Sequence, residues 1–282
     1  MYLLQVYHKI LSQLKSFSEL LKPQTSKVGR KPKLSDEEIA SLYILSFITR
    51  SPLLVLAQRL INPSIRSYHI FRKDRTKRVY RLLREYMLHK ASLLLLAKLL
   101  FGKKLKLVVD GTILPVASTS RARTQKIRRF SGKAFWVKRK RRLYSEHYKR
   151  EVEFEELYYG VLVMVVCDTE GRVYDLWFHP GSYHEVRSLR LRYKRSGWLR
   201  WLLDKFELMG DRGYRGCEYV KVCESKEDKG MRQVVEGVFS WLKRLINMSG
   251  WRKGITLLAL LYGYAIGYSF FRESFEEVLY HA

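Results

Sequence analysis

Two short apolar runs in this chain end on an aspartate with glycine close by: Leu105-Lys-Leu-Val-Val-Asp110-Gly111-Thr112 and Phe206-Glu-Leu-Met-Gly210-Asp211-Arg212-Gly213-Tyr214. Runs of this kind are buried strands that carry a carboxylate to the edge of a sheet and then turn away. A third acid lies in Arg232-Gln-Val-Val-Glu236-Gly-Val-Phe-Ser-Trp-Leu-Lys243, which has helical periodicity. At about 100° per residue, Arg232, Glu236, Ser240, Lys243 and Asn247 fall on one polar stripe. Val235, Val238, Phe239, Leu242, Leu245 and Ile246 fall on the opposite face, which is free to pack on a sheet. Glu236 is thus presented together with two phosphate-binding cations. Three carboxylates brought together suit one task well: holding divalent metal ions against a phosphodiester.

The surroundings of these acids are basic. Lys and Arg total 54 against 27 Asp and Glu, a formal net charge of +27 with a pI near 10.0. Such a balance predicts salt-sensitive attraction to a polyanion, with nucleic acid as the leading partner. The 47% hydrophobic and 13% aromatic content supports a large core, more than a ribosomal or chromatin protein requires. Cys167, Cys217 and Cys223 match neither a zinc-knuckle spacing nor a disulfide framework and are expected to be reduced thiols. The N-terminal segment lacks a basic start, a continuous apolar stretch and a small-residue cleavage site, so export is not expected. Residues 255–271 carry no charge and contain Gly263-x-x-x-Gly267. The three tyrosines and two glycines favour a buried helix with close packing over a membrane span, which needs about 20 apolar residues.

The first hundred residues read as helical. A helix is expected from Tyr2 to Leu21, followed by a basic loop. Ser35 and Glu38 form a capping-box pattern ahead of an apolar run, Ser51-Pro52 opens a short helix to Ile61, and a long helix runs from Arg75 to Leu100. Short helices followed by Arg66, Arg72, Lys73, Arg75, Lys77, Arg78 and Arg81 fit either a helix-turn-helix facing DNA or an ordinary bundle with a basic face. Phe101-Gly-Lys-Lys104 then marks a boundary, giving a helical DNA-binding domain over 1–101 and a catalytic domain over 102–282.

In the second part, strands are expected at Leu105–Asp110, Leu157–Asp168, Val173–Phe178 and Phe206–Gly210, with a hairpin through Thr169-Glu-Gly-Arg172 and a helix over Glu185–Arg195. The class is mixed α/β. Between the first two strands, residues 121–150 hold 13 Lys or Arg, among them Arg128, Arg129, Lys138, Arg139, Lys140, Arg141 and Arg142, interleaved with aromatics and a single acid, Glu146. This reads as a surface that tracks a DNA backbone, with Arg212 as a further contact. Asp168 and Asp175 read as turn and surface acids. His179 and His184 read either as structural or solvated residues or as an extra metal ligand or DNA contact.

Together these residues resemble the DDE transposases of bacterial and archaeal insertion sequences, whose catalytic domain is ribonuclease H-like. The resemblance covers roughly residues 105–271. Asp110-Gly-Thr112 matches the context of the first acid, Gly210-Asp-Arg-Gly-Tyr214 that of the second, and Arg232, Glu236 and Lys243 fit the helical signature of the third. The position of the signature tyrosine holds Lys229, and Asp211 and Glu236 are only 25 residues apart. The resemblance implies that Asp110, Asp211 and Glu236 hold two Mg²⁺ ions about 4 Å apart, with Mn²⁺ able to substitute. Arg232 and Lys243 would grip phosphates near the cleavage point. It further implies double-stranded DNA as partner, both terminal inverted repeats and target. The protein would act as a homodimer on paired ends and reside in the cytoplasm at the nucleoid. The short interval before Glu236 motivates an alternative, a DNA-binding copy without strand transfer. A ribonuclease H-like nuclease with no element of its own is a third reading.

Overall fold

The computed structural model describes residues 2–21, 33–49, 51–102, 105–117, 135–145, 149–223, 226–249 and 254–271. Five helices come first: α1 (Tyr2–Leu20), α2 (Asp36–Thr49), α3 (Leu53–Leu60), α4 (Ser67–Phe71) and α5 (Lys73–Leu100). The predicted capping box starts α2. The Ser35 amide donates to Glu38 Oε2 at 2.6 Å and the Glu38 amide donates to Ser35 Oγ at 3.0 Å, which satisfies two otherwise orphaned donors. Every residue of α2 from Ile39 to Ile48 is buried, so this helix is the axle of the bundle and has no face left for DNA. Arg75 and Arg78, which the sequence left open between a DNA-facing role and a basic bundle face, make contacts within the fold. The buried Arg75 guanidinium donates to the carbonyls of His69 and Leu34, and both arginines pair with Asp36.

A mixed sheet follows, made of β1 (Lys106–Ala117), β2 (Phe135–Ser145), β3 (Arg150–Asp168), β4 (Val173–Pro180), β5 (Glu207–Gly210) and β6 (Lys221–Val222). β3 pairs antiparallel with β1 and β4 through its second half and with β2 through its first. On the other side of β1, β5 and then β6 run parallel. The crossover from β4 to β5 carries α6 (Glu185–Arg195) and α7 (Gly197–Lys205), and the sheet is followed by α8 (Lys226–Ser249) and α9 (Gly254–Phe270). The fold is mixed α/β.

Alternation along the strands assigns the two faces. Val108, Val165 and Cys167 join one core with Val235, Val238, Phe239 and Leu242 of α8 and with α9. Leu107, Val109, Met164 and Val166 join a second core with Leu189 of α6, Leu199 and Leu202 of α7, and Ala91 and Leu95 of α5. The first core also takes in α1 to α5, because α9 runs through the helical bundle against α2 and α5. The two glycines of α9 make this possible. A Cβ on Gly263 would stand 2.9 Å from the Tyr43 carbonyl carbon, and one on Gly267 2.6 Å from the Phe47 ring. Among the described residues no single helix is long and apolar enough to cross a membrane.

Two further departures from the sequence expectations stand out. The basic segment over 135–145 is a strand, β2, paired antiparallel with the first half of β3, and across this pair Lys138 meets Glu155 at 3.5 Å. Asp168 and Asp175 are fully buried, not surface acids. Asp168 accepts from Lys98 Nζ, the Tyr174 hydroxyl and the amides of Glu170 and Arg172, closing the hairpin in which Gly171 takes φ +81°. Asp175 accepts two bonds from Arg192 at 3.0 and 2.7 Å. The three cysteines are free and buried.

Candidate active site

Asp110 lies within β1 and Asp211 directly follows β5. These strands are parallel neighbours whose last pair is Val108 opposite Met209, and each aspartate lies two residues beyond that pair, so both stand at the same end of adjacent strands. Asp110 alternates with Val108 and faces the α8 side of the sheet. Each carboxylate is oriented by a backbone amide: Gly111 N donates to Asp110 Oδ1 and Gly213 N donates to Asp211 Oδ1, both at 2.8 Å.

The Gly-Asp-Arg-Gly-Tyr segment follows from packing. A Cβ on Gly210 would come within 2.8 Å of both the Tyr214 ring and Val220. One on Gly213 would meet Asp211 Oδ1 at 2.9 Å. Asp211 caps the 3₁₀ turn Arg212–Tyr214, and Tyr214 is driven into the core beneath the sheet. Arg212 is exposed beside the aspartate pair.

A fourth acid, missed in the sequence, stands on the other side of the sheet. Glu185 opens α6, a favourable place for a negative charge, and its side chain lies against Gly111, where a Cβ would be 2.8 Å from Cγ, Cδ and Oε1. The signal available was Gly111 itself, read only as a turn residue. The Tyr214 hydroxyl faces Glu185 without closing a hydrogen bond of normal geometry. Burial, then the charges of Glu185, Asp110 and Asp211, push its pKa far above the usual tyrosine range.

Glu236 is exposed on α8, which packs on β1 through Val235, Val238, Phe239 and Leu242. Arg232 precedes it by one turn and Lys243 follows by two on the same helix. Among the described residues, however, no three His, Cys, Asp or Glu side chains are close enough to hold a metal ion. Asp110 and Asp211 lie at the same end of neighbouring strands, and Glu236 lies on the helix that packs against β1.

Of the basic residues, Lys138 is exposed on β2 and pairs with Glu155 at 3.5 Å. Arg139, Lys140, Arg141 and Arg142 continue along the same strand. Arg72 is exposed and Lys73 begins α5. Arg128 and Arg129 lie outside the described residues. His179 stacks on Tyr183 with ring centroids 4.7 Å apart, and His184 is exposed at the N-cap of α6. No protein-family model, curated protein or solved structure matches the chain.

Proposed function

We propose that this protein is a metal-dependent transposase of the DDE type, cutting DNA at element ends and joining the freed strands to target DNA. The observation that carries this reading is the adjacency of Asp110 and Asp211 in a chain of net charge +27. Two carboxylates at neighbouring positions repel unless a proton or a cation is shared between them. A ribonuclease H-like architecture is supported by the first acid on the first strand and the second just after its parallel neighbour.

The donors suit Mg²⁺, which takes hard oxygen ligands and is commonly held by one or two carboxylates completed by water and substrate phosphate. Asp110 and Asp211 would hold it, and Glu236 would complete the set from α8. The bound metal supplies Lewis-acid polarisation of the phosphate and a more acidic water. The chain does the rest. The Gly111 and Gly213 amides fix the two carboxylates before substrate arrives. Arg212, Arg232 and Lys243 supply cations for phosphates of double-stranded DNA. The β2 strand extends a basic edge along the duplex, and a homodimer would pair two element ends.

That no three acids, histidines or cysteines among the described residues stand close enough to hold a metal ion favours one competing reading, a DNA-binding relative without strand transfer. The two separate in an assay of a labelled duplex bearing the repeat from the gene's own flanks, with Mg²⁺, Mn²⁺ or EDTA. Metal-dependent nicking and strand joining that Asp211→Asn lacks supports the transposase. Binding without cleavage in the wild type supports the relative.

A further inference from the structure

At the free edge of the sheet, where β4 meets α5, α6 and α9, lies an open cavity of about 210 Å³. Its walls are aromatic and held in place. Tyr80 and Tyr262 meet edge to face at 5.5 Å, the Tyr262 hydroxyl donates to the Leu176 carbonyl at 2.7 Å, and the Trp177 indole donates to Ser188 Oγ at 2.9 Å. Its mouth is cationic. Arg192 is neutralised by the buried Asp175, but among the described residues neither Arg84 nor Arg195 has a carboxylate within 4.0 Å.

A cavity lined by Tyr80, Trp177 and Tyr262 and by two guanidinium groups with no carboxylate within 4.0 Å among the described residues suits a ligand that is flat at one end and anionic at the other. The volume admits a single ring system and falls below the roughly 300–1,000 Å³ of sites for larger ligands. We propose that this cavity binds one nucleotide, its base against the aromatic lining and its phosphate on Arg84 and Arg195. Trp177 and Gly111 both pair with Met164, from opposite sides of β3, so the cavity stands level with the aspartate pair two strand spacings away, about 10 Å. A nucleotide of the strand being processed fits that placement. This link rests on the function proposed above; the cavity's ligand class does not.

The test uses the full chain in EDTA, so that no cleavage is required. The probes are the mononucleotide of 2-aminopurine and a short single-stranded oligodeoxynucleotide containing it. Stacking in the slot predicts saturable quenching of the base. Arg84→Gln/Arg195→Gln weakens it at least tenfold, and the exposed Arg195→Gln alone at least threefold. Lys9→Gln/Lys15→Gln, which removes the same charge from α1, leaves it within twofold, and Asp211→Asn leaves it unchanged whatever becomes of cleavage. An oligonucleotide at least tenfold tighter than the mononucleotide supports the site and assigns the ligand to a DNA strand; equal affinity supports it and assigns a free nucleotide. Quenching equally lost in the α1 variant, unaffected by the arginine changes, or displaced by inorganic phosphate as readily as by the mononucleotide overturns the proposal.

Discussion

The side chain of Glu185 fills the space that a side chain on Gly111 would need, with Oε1 2.8 Å from where the Cβ would be. Gly111 is therefore glycine because an acid from α6 passes beneath it, one residue from Asp110. Gly111→Ala forces either Glu185 or β1 to move. Because the atoms in the way are the far end of a flexible side chain, the expected loss is about 1 kcal/mol, the low end of the cost of overpacking, measured by urea denaturation. Gly111→Ala combined with Glu185→Ala should recover most of it. Failure of the second change to rescue the first would mean that the two do not compete for that space.

The close crossing of α9 over α2 makes a harder demand. Gly263 meets the Tyr43 backbone, which cannot swing aside as a side chain can. Gly263→Ala gains about 1 kcal/mol of helix propensity and is still expected to be net destabilising, lowering the denaturation midpoint. A midpoint at or above that of the wild type would show that the helices have room to separate.

Asp168 accepts from Lys98, the Tyr174 hydroxyl and two turn amides, and it is wholly buried. Asp168→Ala strands these donors and should cost about 3–5 kcal/mol, as breaking a buried pair does. Calorimetry would register a loss of that size, whereas a change under about 1 kcal/mol would place this group with surface acids.

Alkaline pH should unfold the protein through its tyrosines. Burial, with nearby negative charge adding at Tyr7, Tyr174, Tyr214 and Tyr262, raises the pKa of these groups and of Tyr86 well above the ordinary value. Because the folded pKa is the higher one, the unfolded chain releases these protons first, and stability falls as pH rises past about 10. Phenolate absorbance from these residues should therefore appear together with unfolding. Smooth ionisation with the fold intact would contradict the burial.

The elements legible from sequence were those whose signals are local. Ser35 with Glu38, the Gly171 hairpin and the glycine pair of α9 each state their structure within a few residues, whereas the strand expected to end at Asp110 and turn away at Gly111 continues to Ala117. What escaped depends on partners far along the chain. The segment of β2 reads in sequence as a DNA-tracking surface, with no strand expected there, because its pairing with the first half of β3 is not written in its own residues. Asp168 and Asp175 looked exposed until Lys98 and Arg192 reached them, and Arg75, open between a DNA-facing and a bundle role in the sequence, is held by Asp36 and the Leu34 carbonyl. At the site, the adjacency of Asp110 and Asp211 followed from reading both runs as strands of one sheet. Glu185 was hidden because its only mark is a missing side chain on another strand.

The claim that the paired aspartates form a metal site is tested most directly by titrating Mn²⁺ into the protein with a duplex bound, following the free ion by electron paramagnetic resonance. The account predicts saturable uptake by the wild type, weakened at least tenfold by Asp110→Asn and by Asp211→Asn, with each variant still folded and still bound to DNA. Uptake that is equal in all three proteins, or absent from the wild type, would contradict it.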